Sequence, residues 1–256
     1  ATYLQNIGLM PELIQALPAD GIAIFNGDDP ICRELARKSP VKALCYGLSA
    51  EASACQLRAV DVETTAEGSQ FQLVLADQDP LPVRMRLLGK HNTSNALGAS
   101  LAALQCGLSL RDVARGLASV PQMEHRLQVI PSGGGITTID DAYNSNPEGA
   151  RMALDVLASF TTGRKVLVTP GFVELGAIEA EEHARLGRYA AQKCDLIILI
   201  GSPRRTDQIL RGLQAEGFDP SHVFCFPRLK DARQKMSDLL EPGDVVLFEN
   251  DLTDIY

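Results

Sequence analysis

The stretch "DLIILIGSPRRTDQILRGLQA", residues 195–215, decides the fold. Leu196 to Ile200 form an unbroken apolar run that ends at a glycine, and a helical pattern follows over 204–216. A strand that is apolar on both faces belongs inside a parallel sheet covered by helices. The same alternation continues on either side: a helix over 147–160 leads to the strand "KVLVTP", and a helix over 179–193 leads to "DLIILIG". After 204–216 come the strand "HVFCF", a helix over 229–240 and the strand "DVVLFEN". Strands alternating with helices of this length predict a parallel sheet with helices on its faces.

Upstream the pattern differs. "GIAIFN", "ICRELARK" and "VKALCYG" alternate strand, helix and strand, but "CQLRAVDVET", "SQFQLVLA" and "PVRMRLL" have period-two character between Gly and Pro turns, which predicts antiparallel strands. "LLGKHNTSNALGASLAALQCG", residues 87–107, then starts as a strand end, breaks at Gly89 and restarts as a small-residue helix. In "SLRDVARGLASV", Ser109 can cap a helix that carries Leu110, Val113, Ala114 and Leu117 on one face. The expected boundary lies near residues 119 to 127, giving domains 1–122 and 123–256, and a chain of 256 residues suits two such cores.

Composition narrows the function classes. With 45% hydrophobic and 22% charged residues the chain should fold as an ordinary globular protein. Its net charge of −8, without any block of like charge, argues against general nucleic-acid binding. No apolar run reaches the roughly 18 to 20 residues of a membrane span and no signal-peptide pattern opens the chain, so a cytoplasmic location is expected. Six scattered cysteines without a CxxC pair predict buried, reduced thiols rather than disulfides or zinc ligands.

The nucleotide motifs common in α/β enzymes are missing from these residues. There is no GxxxxGK followed by Ser or Thr: the only Gly-Lys is Gly89-Lys90, and it precedes His91. There is no GxGxxG either, and "PSGGGITT" reads as a hairpin turn, which disfavours a Rossmann dehydrogenase. Three stretches still carry chemistry. Asn92 and Asn95 share one face of a helix's first turn, where a carboxamide suits the N6/N7 edge of adenine, although taken alone Asn92 reads first as an N-cap and only second as a ligand contact. Arg126 could stack on a base or contact phosphate and Asp141 could accept from ribose hydroxyls, or the two could simply pair with each other. Asn144 and Asn146 precede Pro147 as turn residues. Glu174 and His183 follow a strand at its carboxyl edge, where open α/β sheets bind ligands; the plain alternative puts Glu179, Glu181 and Glu182 in a helix's first turn with His183 on a solvated face.

Taken together and in order, "GKHNTSNALGASLAAL", "MEHR", "DDAYNSNPEGARMAL" and "ELG" followed by His resemble the Mur ligase family, nearest its branch that adds D-alanyl-D-alanine to a UDP-muramoyl tripeptide. The resemblance implies part of the family's central ATP-binding domain, a mixed sheet with antiparallel strands, followed by its Rossmann-like C-terminal domain. It implies ATP and Mg²⁺ as cofactors, with UDP-muramoyl peptide and D-alanyl-D-alanine as substrates. It assigns His91, Asn92, Asn95, Arg126 and Asp141 to ATP, with the carboxamides on adenine. Tyr143, Asn144, Asn146, Glu174 and His183 would face the substrate cleft. It assigns no catalytic residue or metal ligand.

The family's N-terminal substrate domain and phosphate loop are not in the sequence, so the chain is expected to be a C-terminal portion that is inactive alone. No lysine precedes Lys38 to match the family's carbamylated lysine, "LFENDLTDIY" replaces the Lys-Gly-Ser-Arg ending, and "TPGFVELG" replaces the Gly-Asp-Met form before Glu-Leu-Gly. Two other readings stand beside this one: another ATP-dependent amino-acid ligase such as folylpolyglutamate synthase, and a non-catalytic Mur-like module that binds a nucleotide or a partner.

Overall fold

Residues 12–49, 52, 54–143 and 145–250 are described by a computed structural model. They fall into two units. The first comprises the described residues up to Glu63, with Gly68–Arg86 and Lys90–Val120; the second comprises Thr64–Glu67, Leu87–Gly89 and the chain from Pro121 on.

The first unit is built on a five-stranded sheet in the order β1 to β5. Strands β1 (Ile22–Asn26) and β2 (Lys42–Gly47) pair in parallel across helix α1 (Pro30–Lys38). Asp29 caps that helix by accepting from the Ile31 and Cys32 amides. Next, β3 (Leu57–Thr65) pairs parallel to β2, and β4 (Gly68–Leu75) with β5 (Leu81–Met85) forms an antiparallel pair. Helix α2 (Lys90–Gln105) buries Thr93, Ala96, Leu97, Ser100 and Leu101, an i, i+3, i+4, i+7 stripe. Its second polar position costs little, because the Ser100 hydroxyl donates to the Ala96 carbonyl at 2.6 Å. Helix α3 (Leu110–Ser119) has the expected Ser109 cap, accepting from the Asp112 amide.

The second unit carries a six-stranded sheet in the order β10-β9-β8-β11-β7-β6. It opens with the antiparallel pair β6 (Gln128–Pro131) and β7 (Thr137–Asp141), joined by the glycine turn, and continues through helix α4 (Pro147–Ser159) to β8 (Lys165–Thr169). Helix α5 (Glu179–Ala191), β9 (Leu196–Ile200), helix α6 (Pro203–Ala215), β10 (Val223–Phe226), helix α7 (Leu229–Leu239) and β11 (Val245–Glu249) complete it. Strands β7 to β11 are parallel, as the alternation requires, and all five residues of β9 are buried. Residues of α4, α5 and α6 share one core with Ile139, Leu167, Ile197 and Leu247, while Ala232 and Met236 of α7 pack in the other with Val166, Val168, Ile198 and Val246. Where α5 meets α6 the backbones touch: a Cβ on Gly187 would sit 2.1 Å from the Ile209 carbonyl oxygen, and one on Gly212 2.1 Å from that of Ala184.

Chain order does not match strand order at one place. β11 inserts between β7 and β8, so the carboxyl ends of those three strands lie side by side. All six cysteines are free, but only Cys194 is buried; Cys32, Cys45 and Cys55 are half-buried and Cys106 and Cys225 exposed, which corrects the expectation of buried thiols. No helix of the described residues is long and apolar enough to cross a membrane.

Candidate functional site

In the first unit the candidate residues sit at the start of α2. The helix already begins at Lys90, so Asn92 lies inside its first turn and the N-cap reading of that residue is overturned. Three residues apart, Asn92 and Asn95 occupy neighbouring positions on one helical face, with Asn92 half-buried and Asn95 exposed. His91 is half-buried, and its burial holds the imidazole below its ordinary pKa, which favours the neutral ring.

In the second unit, sequence reading grouped Arg126 with Asp141 as a possible ion pair. The structure shifts that pairing by one residue: His125 Nδ1 lies 2.8 Å from Asp140 Oδ2, while the Arg126 guanidinium lies over the Tyr143 ring. Neighbouring side chains on a strand point to opposite faces, so Asp140 and Asp141 meet different partners. Arg126 is flanked by two non-glycine residues in left-handed conformation, His125 at φ 58° and Leu127 at φ 48°. Such backbone costs roughly 1–2 kcal/mol per residue. It is held by the Leu127 amide, which donates to Asp141 Oδ1 at 3.1 Å, and by the His125 carbonyl, which accepts from the Tyr143 amide at 3.2 Å. Burial pushes the Asp141 carboxyl up to about 6, with the Leu127 amide and Arg126 acting against it, so above neutrality it is chiefly ionised and retains an oxygen to accept from a ligand hydroxyl.

Tyr143 is 63% exposed beneath Arg126. Asn146 is exposed but caps α4, its side-chain oxygen accepting from the Gly149 amide at 2.8 Å. Asn144 lies outside the described residues. Glu174 is exposed at φ 61° in the loop after β8. His183 is a correction: it is fully buried and faces no cleft. Its Nε2 accepts from the Phe172 amide at 2.9 Å and its Nδ1 donates to the Glu179 carbonyl at 2.6 Å, so both nitrogens serve the loop that carries Glu174. Gly171, at φ 77°, is required there because a Cβ would come within 2.5 Å of His183 Nε2.

One group escaped sequence reading. Asp141, Glu249 and Thr169 end the adjacent strands β7, β11 and β8, with Glu249 opposite Asp141 in register. Glu249 is 1% exposed. One of its carboxyl oxygens accepts from the Ser145 hydroxyl and the other from Thr169 Oγ1 at 2.9 Å. Thr169 Oγ1 in turn accepts from the Gly171 amide at 3.0 Å. Asn250, left-handed at φ 72°, donates its side-chain amide to the Gly171 carbonyl and its backbone amide to the Asp141 carbonyl. Burial pushes Glu249 up to about 7; the two hydroxyls act against that rise and the Asp141 charge adds to it. Among the described residues no three His, Cys, Asp or Glu side chains converge as metal ligands.

Two family models match the sequence: the Mur ligase middle domain over residues 8–103, and the Mur ligase, glutamate ligase domain over 125–249. The chain is 32% identical over 213 residues to the UDP-N-acetylmuramoyl-tripeptide–D-alanyl-D-alanine ligase of Mycobacterium tuberculosis (strain H37Rv), covering 80% of this chain and 41% of that protein. The enzyme of the same name from Bacillus subtilis is 29% identical over 245 residues, covering 93% of this chain and 50% of that protein. Among solved structures, MurF from Acinetobacter baumannii superposes with a TM-score of 0.79 at 26% identity, over 94% of this chain and 51% of the other. MurF from Thermotoga maritima, solved in complex with ADP, shares the fold with a TM-score of 0.75 at 20% identity, over 94% of this chain and 52% of that one. The chain thus spans about half the length of the relatives it matches.

Proposed function

We propose, from the premise that this chain belongs to the Mur ligase family and carries its middle and C-terminal domains, that it is the portion of a peptidoglycan-precursor ligase that holds ATP and the incoming amine. The reaction is the joining of D-alanyl-D-alanine to a UDP-muramoyl tripeptide. The γ-phosphoryl group of ATP passes to the tripeptide carboxylate, giving an acyl phosphate and ADP. The dipeptide amine then attacks the acyl carbon, the C–O bond to phosphate breaks, and the amine proton is lost as the amide forms. The observation that carries this reading is similarity to D-alanyl-D-alanine ligases along both domains.

In this reading Asn92 and Asn95 present paired donors and acceptors to adenine. Arg126, fixed by its ring partner and strained turn, offers a guanidinium to phosphate oxygens, and Asp141 accepts from ribose hydroxyls. Tyr143 and Glu174 stand on the two loops expected to meet the amine-bearing substrate. These 256 residues contain no GxxxxGK loop and are expected to release no phosphate by themselves.

The test is ATP-dependent phosphate release by the complete natural protein, each amine offered with the muramoyl peptide it would extend: D-alanyl-D-alanine with UDP-muramoyl tripeptide, 2,6-diaminopimelate with UDP-muramoyl-L-alanyl-D-glutamate, and glutamate with UDP-muramoyl-L-alanine. Turnover confined to D-alanyl-D-alanine supports the assignment. Turnover with another amine moves the chain to a sister ligase, a reading favoured by the 2,6-diaminopimelate ligase of Lactiplantibacillus plantarum, 28% identical over 245 residues. Nucleotide binding without turnover on any amine makes it a non-catalytic module.

A further inference from the structure

Glu249 performs none of the roles assigned above, yet among the described residues of the second unit it is the most completely enclosed carboxyl, and it joins two loops that chain order keeps far apart. Its two oxygens take the Ser145 hydroxyl, from the loop between β7 and α4, and the Thr169 hydroxyl, at the start of the loop between β8 and α5. Thr169 and Asn250 both fasten Gly171. The first loop carries Tyr143 and the second carries Glu174, both exposed. At 1% exposure Glu249 is out of a substrate's reach. Among the described residues no Lys, Arg or His forms an ion pair with it, so its only strong directional partners are the two hydroxyls. A buried carboxyl is costly unless it is hydrogen-bonded, and here the bonds that offset the cost come from two separate loops.

We propose that Glu249 is a positioning residue, a clasp that holds Tyr143 and Ser145 after β7 and the 170–175 loop after β8 in one arrangement so that Tyr143 and Glu174 are presented together to the amine substrate. The assignment of those two loops to that substrate rests on the ligase reading; the clasp itself does not. Removing the carboxyl leaves the buried Thr169 hydroxyl and the half-buried Ser145 hydroxyl without their acceptor and frees both loops at once. A carboxamide can keep the connection, because its oxygen accepts from Thr169 while its NH₂ donates to a Ser145 hydroxyl turned round as acceptor.

The experiment uses the complete natural protein and two readouts. The first, independent of turnover, is amide hydrogen exchange. In Glu249→Ala, exchange at Tyr143, Ser145, Gly171 and Phe172 should speed up about tenfold or more, with α6 and α7 protected as in the parent; Glu249→Gln should stay close to the parent. The second is kinetic: Glu249→Ala should raise the KM for D-alanyl-D-alanine about tenfold while kcat falls by less than about threefold, and Glu249→Gln should restore KM. If Glu249→Ala does not fold, Ser145→Ala and Thr169→Val interrupt the clasp from either end, and each should loosen both loops. Unchanged exchange in Glu249→Ala, loosening of only the loop that bears the substitution, or a fall in kcat with KM unmoved would each overturn the proposal. A parent protein inactive on every amine would remove the ligase reading and leave the exchange result to decide the clasp.

Discussion

The Arg126 guanidinium carbon lies 4.4 Å from the centre of the Tyr143 ring, and the turn that puts it there is left-handed on both sides of the arginine. An exposed stack of this kind contributes about 0.5–1 kcal/mol, too little to matter to the fold but enough to select one rotamer of a long side chain. If Arg126 holds nucleotide phosphate, Tyr143→Ala should raise the KM for ATP about three- to fivefold, whereas Tyr143→Phe should leave it unchanged. Steady-state kinetics decide between them. Equal effects of both substitutions would move the role from the ring to the hydroxyl.

The carboxamides at the start of α2 allow a sharper separation of ligand contact from local structure. Asn95 is exposed and helical, and alanine is the better helix former by roughly half a kcal/mol, so Asn95→Ala should leave Tm unchanged or slightly raised. Loss of an adenine contact should raise the KM for ATP about tenfold. A fall in Tm with unchanged KM would return the residue to a structural role.

Much of this was legible in the chain because periodicity reports burial directly. "LIILI" is the fully buried β9, and the Ser109 cap occurs as the sequence foretells. Sheet order was not legible, since nothing local says that the last strand inserts between β7 and β8; the neighbourhood of Asp141, Glu249 and Thr169 is therefore a product of topology. His183 is an instructive miss. It sits among first-turn glutamates, which suggest a solvated face, but His183, Leu186, Gly187 and Ala190 form an i, i+3, i+4, i+7 stripe that marks the buried one. Glu249 left a fainter sign, a carboxylate ending a strand that is otherwise wholly apolar.

Because both His183 nitrogens are engaged with backbone in a dry interior, its replacement should act on stability before function. His183→Ala leaves the Phe172 amide without its acceptor and opens a cavity beside the Phe172 ring, 5.4 Å away between centroids. A loss of about 2–4 kcal/mol is expected in denaturant unfolding. The pH dependence has a definite sign. Burial holds this imidazole below its ordinary value near 6.5, so the unfolded chain takes up the proton first and stability falls as pH drops below about 6.5. A variant that loses less than about 0.5 kcal/mol would show that the loop does not depend on the ring.

Glu249 should give the opposite slope. Its folded-state pKa is pushed up to about 7 from an ordinary 4.5, chiefly by burial, so the folded protein holds a proton that the unfolded chain releases between those values. The stabilisation is complete below about 4.5 and is lost as pH rises through about 7. Asp141 on the neighbouring strand, pushed up to about 6, adds a slope of the same sign at lower pH, and His183 opposes both below 6.5. Arg126 bears on Asp141 rather than on Glu249, and the remaining contacts of Glu249 are the uncharged Ser145 and Thr169 hydroxyls. Those other slopes cancel when the parent is compared with Glu249→Gln, which has no proton to lose at this position. Between pH 5 and 8 the parent should lose on the order of 2–3 kcal/mol of unfolding free energy relative to the variant. Parallel stability curves for the two proteins would mean that the Glu249 carboxyl is already ionised throughout that range.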